Sequence, residues 1–140
     1  MHQALRILMV DDMPSKARVM KLFLEHYGHE VCTVDGGAAA LQHLTQRKFD
    51  VVITAFWMPE MNGGQLVVRI RQLMPNQPII MCTTAEPDYA VLEKPSGHVN
   101  ALLLEPFSLK ELREAIEDVS DGWDSDDKSL RPLQIKPPRA

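Results

Sequence analysis

Two adjacent carboxylates are the residues of this sequence with the clearest chemistry. Asp11 and Asp12 directly follow the apolar run from Leu5 to Val10. Carboxylates this close together are costly to bury without a cation, and oxygen atoms are the ligands that hard divalent metals prefer. A helix N-cap, in which Asp12 accepts from unpaired backbone N–H groups, explains the pair equally well. The pair alone therefore predicts either a metal site or a helix cap.

The elements that would position these carboxylates alternate along the chain. Short aliphatic runs alternate with longer segments of helical period, which is typical of a parallel sheet with crossover helices. The predicted strands cover residues 5–10, 29–34, 49–54, 78–82 and 101–104, and the predicted helices cover residues 14–27, 38–47, 65–74, 88–93 and 108–119. Because site residues follow the carboxyl ends of parallel strands, the candidates are Asp11, Asp12, Ala55, Thr84 and Glu105.

The domain boundaries follow from a change in composition. Residues 4–119 are predicted to form one domain, an ordinary size for a single core. Residues 120–140 are rich in Ser, Asp, Lys and Pro and are predicted to be a disordered tail. The stretch LRPLQIKPPR within it is either a linear motif for a partner or a solvated end, and we favour the solvated end.

Composition excludes several classes of function. The net charge of −4 disfavours direct nucleic-acid binding. No apolar run approaches the ~20 residues of a membrane span, so a cytoplasmic protein without membrane contact is expected. Cys32 and Cys82 lack the spacing of a metal site and are predicted to be buried free thiols.

Four short motifs and the order of the predicted elements together resemble the receiver domain of two-component response regulators. The motifs are Val10-Asp11-Asp12, the loop from Met58 and Pro59 to Gly63, Thr84-Ala85 and Glu105-Pro106-Phe107, and the order of the elements is (βα)₅. The resemblance covers about residues 4–119. It implies a flavodoxin-like (βα)₅ three-layer sandwich of α/β class, with a central five-stranded parallel sheet.

In that family, an aspartate after the third strand accepts a phosphoryl group from a histidine kinase, and an acid pair holds Mg²⁺. A threonine and a lysine bind the phosphoryl oxygens. Asp11, Asp12 and Thr84 match these roles. The acceptor position, four residues before Pro59, is Ala55, and the lysine position is Glu105.

A third departure lies at the family's switch aromatic, where this chain has Leu102. Neither neighbouring candidate replaces the acceptor, because Asp50 lies at the opposite end of the strand and Thr54 should point to the other face. An engineered Ala55 would account for one departure but not for Glu105. We therefore favour a naturally degenerate receiver.

The consequence for metal binding depends on Glu105. If its carboxylate turns towards Asp11 and Asp12, weak binding of Mg²⁺ or another divalent cation can persist; otherwise the pocket is only acidic. No other cofactor is expected.

The resemblance predicts a single-domain, non-enzymatic pseudo-receiver. It would bind a histidine kinase, a phosphotransfer protein or another receiver without being phosphorylated, through the face formed by the fourth predicted helix, the fifth strand and the last helix. The alternatives are an ordinary phosphoaccepting regulator with an engineered Ala55 or a cryptic acceptor and, more weakly, a metal-dependent hydrolase built on Asp11, Asp12 and Glu105.

Overall fold

Strands and helices alternate along the chain in the computed structural model. It describes residues 4–84 and 99–121 and the backbone of Gln134 and Ile135. The strands are β1 (Arg6–Val10), β2 (Glu30–Val34), β3 (Val51–Ala55), β4 (Ile79–Thr83), β5 (Ala101–Leu104) and β6 (Gln134–Ile135). The described helices are α1 (Pro14–His26), α2 (Gly37–Gln46), α3 (Gly63–Leu73) and α4 (Leu109–Asp121).

All the strands run parallel in one sheet, in the order β2-β1-β3-β4-β5-β6. The order of the first five is that of the flavodoxin-like fold, so the predicted fold class is confirmed. Val10 pairs with Thr54, Ala55 with Cys82, and Thr83 with Leu104. The carboxyl ends of β1, β3, β4 and β5 therefore meet at one edge of the sheet.

Two apolar layers fix the sheet between helices. Alternate side chains of β1 enter opposite layers, as the two-residue period of a strand requires. Ile7 and Met9 pack with α1 and α4, whereas Leu8 and Val10 pack with α2 and α3. This three-layer core makes the carboxyl edge of the sheet a rigid platform.

The structure adds two features to the predicted fold at its carboxyl-terminal end. The last helix continues to Asp121, and Gln134–Ile135 adds a sixth strand to a sheet predicted to have five. The backbone edge of β5 offers these two residues hydrogen-bonding partners. The rest of the predicted tail, residues 122–133 and 136–140, lies outside the described residues. The helix predicted at residues 88–93 lies outside the described residues. No helix in the described part of the chain has the length and apolar character needed to cross a membrane.

Candidate functional site at the carboxyl edge of the sheet

The acid pair follows β1 directly. Asp11 is buried, and its Oδ1 accepts from the backbone N–H of Met13 at 3.0 Å. Asp12 is half-buried. The N-cap residue of α1 is Met13, without a side-chain capping bond, so the prediction that Asp12 caps this helix is wrong. The turn places Pro14 at the start of the helix, where its missing N–H costs little.

Lys16, which the sequence analysis missed, projects from the first turn of α1 to the same edge. Its Nζ lies 3.6 Å from Oδ2 of Asp11 and contacts Oε1 of Glu105 directly. The side chains of Lys16 and Glu105 are 26% and 28% exposed. One ammonium therefore joins two carboxylates that come from opposite ends of the sequence. Its position in the helical turn after Asp11 was the only signal available in the sequence.

Glu105 is held by the end of β5. Its backbone N–H donates to the carbonyl oxygen of Thr83 at 2.6 Å, and its peptide bond with Pro106 is cis. Its carboxylate does not join Asp11 and Asp12 as a third metal ligand, because Lys16 binds it instead. The described residues contain no cluster of three or more His, Cys, Asp or Glu side chains that could hold a metal ion.

Mg²⁺ prefers octahedral oxygen coordination, and the described residues do not fit a site for it. Asp11 already accepts from Met13 and faces the Lys16 ammonium, which leaves Asp12 with no described carboxylate to complete the site. In the structure the Glu105 carboxylate contacts Lys16, and a contribution of Glu105 to a metal site stays a prediction. The hydrolase alternative built on Asp11, Asp12 and Glu105 likewise stays a prediction.

Ala55 ends β3 as a buried methyl group beside this cluster. The N–H of Phe56 donates to the carbonyl oxygen of Cys82 at 2.8 Å, which pins the strand end. Thr54 is fully buried, and its hydroxyl donates to the carbonyl oxygen of Ala55 at 2.9 Å. Asp50 accepts from the N–H of Arg6 at 2.7 Å, at the amino-terminal ends of β1 and β3. Asp50 and Thr54 therefore lie where the sequence analysis expected.

The loop after β3 folds back onto the strand end. Met58 is buried, Pro59 is exposed, and the N–H of Gly63 donates to the carbonyl oxygen of Phe56 at 2.7 Å. A Cβ atom on Gly63 would stand 2.4 Å from the carbonyl oxygen of Ala55. Only glycine fits this close backbone approach.

Thr83, which ends β4, and Thr84, which follows it, occupy different environments. Thr83 is buried, and its hydroxyl has no hydrogen-bond partner within the described part of the structure. Thr84 is exposed and lines a groove that also contains Lys16 and Glu105. Leu102 is buried in the layer that faces α2 and α3.

Cys82 lies beneath the charged cluster. Burial raises the pKa of its thiol to about 12, while nearby Lys16 lowers this pKa and Asp11 raises it. Cys82 is thus a neutral free thiol at ordinary pH, and both cysteines are free in the structure. It fills the layer under Lys16 with an uncharged side chain.

A groove of about 540 Å³ separates α1 from the loop after β5. Exposed Val19 and Leu109 form apolar parts of its walls, and the contact between Lys16 and Glu105 lies within it. The groove therefore has apolar residues on its walls and a lysine–glutamate pair of opposite charge within it.

Residues 7–117 match the family described as Response regulator receiver domain. The chain belongs to this receiver family. Receiver domains act in two-component signalling and interact with histidine kinases and other signalling proteins.

Curated relatives of this receiver include proteins of different length. It is 35% identical over 119 residues to a chemotaxis protein CheY homolog of Campylobacter jejuni, covering 82% of this chain and 92% of that protein. It is also 35% identical over 119 residues to the transcriptional regulatory protein GlrR of Escherichia coli, covering 84% of this chain. The receiver spans only 26% of GlrR.

Solved structures that resemble this receiver include members of the same family. A receiver domain protein from Clostridium thermocellum has a TM-score of 0.78 and 25% identity, with 86% of this chain and 96% of that chain covered. Response regulator TrrA from Thermotoga maritima, in complex with Mg²⁺-BeF, has a TM-score of 0.74 and 27% identity. The match with TrrA covers 81% of this receiver and 97% of that chain.

Proposed function

We propose that this receiver works without phosphorylation, as a binding module with no catalytic activity of its own. Its partner would be a signalling protein: a histidine kinase, a phosphotransfer protein or another receiver. The observation that carries the proposal is the buried methyl group of Ala55 at the strand end where receivers hold their phosphoacceptor.

The chemistry of the strand end supports this proposal. A methyl group has no lone pair and cannot attack phosphorus. The hydroxyl of Thr54 is buried and donates to a backbone carbonyl, and Asp50 lies at the opposite edge of the sheet. Neither side chain can stand in for the missing nucleophile.

The ion pair is the second support. In receivers a lysine at the position of Glu105 binds phosphoryl oxygens, whereas this carboxylate would repel them. Lys16 contacts this carboxylate, and it also faces Asp11. An incoming phosphoryl group would have to compete with two carboxylates for one ammonium.

A locked conformation follows from these contacts. The ion pair joins α1 to the loop after β5 without any ligand, and Leu102 is packed into the core. Without a phosphoryl group there is no ligand to shift the population between two states. The groove walls, with Val19 and Leu109 exposed, would then present one constant surface to a partner.

Phosphorylation of the purified chain tests the proposal. Wild type, Ala55→Asn and Ala55→Asp/Glu105→Lys are incubated with acetyl phosphate and Mg²⁺, and phosphate adducts are detected by intact mass. We expect no adduct on wild type or on Ala55→Asn, whose amide matches aspartate in shape. The double variant regains both the nucleophile and the lysine, and it should acquire a hydroxylamine-labile phosphate.

A hydroxylamine-labile phosphate on the wild-type chain would refute the proposal and establish an ordinary phosphoaccepting regulator with a cryptic acceptor. Partner binding gives an independent check. Affinity for a cognate kinase or phosphotransfer protein should be the same with and without the phosphodonor, since the donor has nothing to modify.

A further inference from the structure

The two edges of the sheet differ in how they are protected. At one edge, β2 has exposed side chains at Glu30 and Thr33, and Arg6 of β1 pairs with Glu30 at 3.3 Å. β5 has the sequence Ala-Leu-Leu-Leu, and all four residues are buried. Charged residues on an edge strand discourage the pairing of a foreign strand, whereas an apolar edge invites it.

The edge of β5 is covered by the chain itself. The backbone of β6 pairs in parallel with β5, with Gln134 opposite Ala101 and Ile135 opposite Leu102. We propose that the outer edge of β5 is a strand-docking site and that the carboxyl-terminal segment around Gln134–Ile135 is its resident ligand in cis. This inference does not depend on the loss of the phosphoacceptor.

The connection between the elements allows this docking. The end of α4 and the start of β6 both lie at the amino-terminal edge of the sheet. This follows because α4 runs antiparallel to β5, whereas β6 runs parallel to it. The twelve residues from 122 to 133 can span up to about 40 Å when extended, and the connection returns to the same edge of the sheet. Tethering also gives the segment an effective concentration of about millimolar at its site.

The sequence limits the docked strand to a short ladder. Pro132 precedes the strand, and Pro137 and Pro138 follow it. Proline has no backbone N–H to donate, so a regular ladder cannot extend past these positions. A ladder of so few residues binds weakly, and the segment can therefore leave the edge and return, or give way to a competing extended peptide.

Hydrogen exchange of the full-length chain tests the docking. In Gln134→Pro/Ile135→Pro, proline removes the N–H donors of β6, so the segment should leave the edge. The β5 amides that face this edge then lose their carbonyl acceptors and should exchange about tenfold faster or more. Ala140→Pro, which adds a proline elsewhere in the same segment, should leave β5 unchanged. Amides of β1, in the centre of the sheet, report that every variant is folded.

Addition of a synthetic peptide of residues 128–140 to the double-proline variant should restore the protection of β5 in a saturable manner. Equal exchange of β5 in wild type and in the folded double variant would overturn the proposal. Loss of protection in wild type on dilution, together with a dimer by light scattering, would also overturn it, because the strand would then come from a second copy.

Discussion

At the scale of single residues, one lysine determines what the acidic edge can do. With Lys16 counted, the four charged groups Asp11, Asp12, Lys16 and Glu105 sum to −2, one unit less negative than the carboxylates alone. The ammonium supplies the positive charge that a metal or another lysine would otherwise provide. The chain itself therefore offsets part of the negative charge of the site.

A double-mutant cycle measures this ion pair. Lys16→Met and Glu105→Gln should each destabilise the fold, and their coupling energy should be about 1 kcal/mol, the upper range for pairs that remain partly exposed. Urea denaturation of the four proteins gives the coupling.

The matched control is the pair of Lys110 and Glu114, four residues apart on α4 and 3.9 Å from each other. Its side chains are 73% and 41% exposed, so its cycle should give no more than about 0.5 kcal/mol. A Lys16–Glu105 coupling no larger than this control would mean that their contact does not hold α1 to the loop.

Cys82 gives the fold a dependence on alkaline pH. The native pKa of about 12 lies above the ordinary value of 9.0, so between these values the unfolded chain carries a thiolate while the native chain keeps a thiol. The unfolded state then binds fewer protons, and native stability falls as pH rises through this window. Relative to Cys82→Val, wild type should lose about 2 kcal/mol between pH 8 and 10.5.

Denaturation by urea at each pH checks this prediction. Cys32→Val removes the other thiol, on β2, and should keep the wild-type pH dependence. If the free energy of unfolding of Cys82→Val fell with pH as steeply as that of wild type, the buried thiol would ionise as easily in the native state as in the unfolded chain.

At the scale of elements, the loop after β3 is fixed by the close approach of its backbone to the strand. Gly63→Ser would place a Cβ atom 2.4 Å from the carbonyl oxygen of Ala55, so either α3 or the strand end must shift. We expect a loss of about 1–3 kcal/mol, the usual cost of overpacking. Thermal and urea denaturation measure it.

The control is Gly36→Ser, at the N-cap of α2. No heavy atom lies within 4 Å of a Cβ built there, and serine is a preferred N-cap residue. This variant should be as stable as wild type or slightly more stable. Equal effects of the two serine substitutions would remove the argument for a steric requirement at Gly63.

Local patterns predicted the elements, but contacts between distant segments were not visible in them. Ser108 and Glu111 have the spacing of a capping box in the sequence, and in the structure the Glu111 N–H donates to Oγ of Ser108 at 3.0 Å. Lys16 was missed because its contact with Glu105 depends on how α1 packs beside the β5 loop. β6 was missed because two residues in a Pro-rich segment carry no measurable period.

At the scale of the whole molecule, the shared fold and the altered site have different consequences. The sheet order and two-sided core are those of receivers, and under the proposed function a partner recognises this shape. Energy from a phosphoryl ligand is a separate requirement, because a ligand shifts an equilibrium only through its differential affinity for two states. The proposed function keeps recognition of the receiver fold and gives up the response to a phosphoryl ligand.

Ligand-dependent melting tests this separation. A ligand that binds only the native state at 100 times its Kd stabilises a protein by about 2.7 kcal/mol, which raises the Tm by several degrees. Mg²⁺ with beryllofluoride, a mimic of the phosphoryl group, should leave the Tm of wild type unchanged, because Ala55 offers no oxygen to coordinate and Lys16 already binds Glu105. The same addition should raise the Tm of Ala55→Asp/Glu105→Lys. An equal rise in wild type, absent with Mg²⁺ alone, would mean that the chain still binds a phosphoryl mimic and responds to it as an active receiver does.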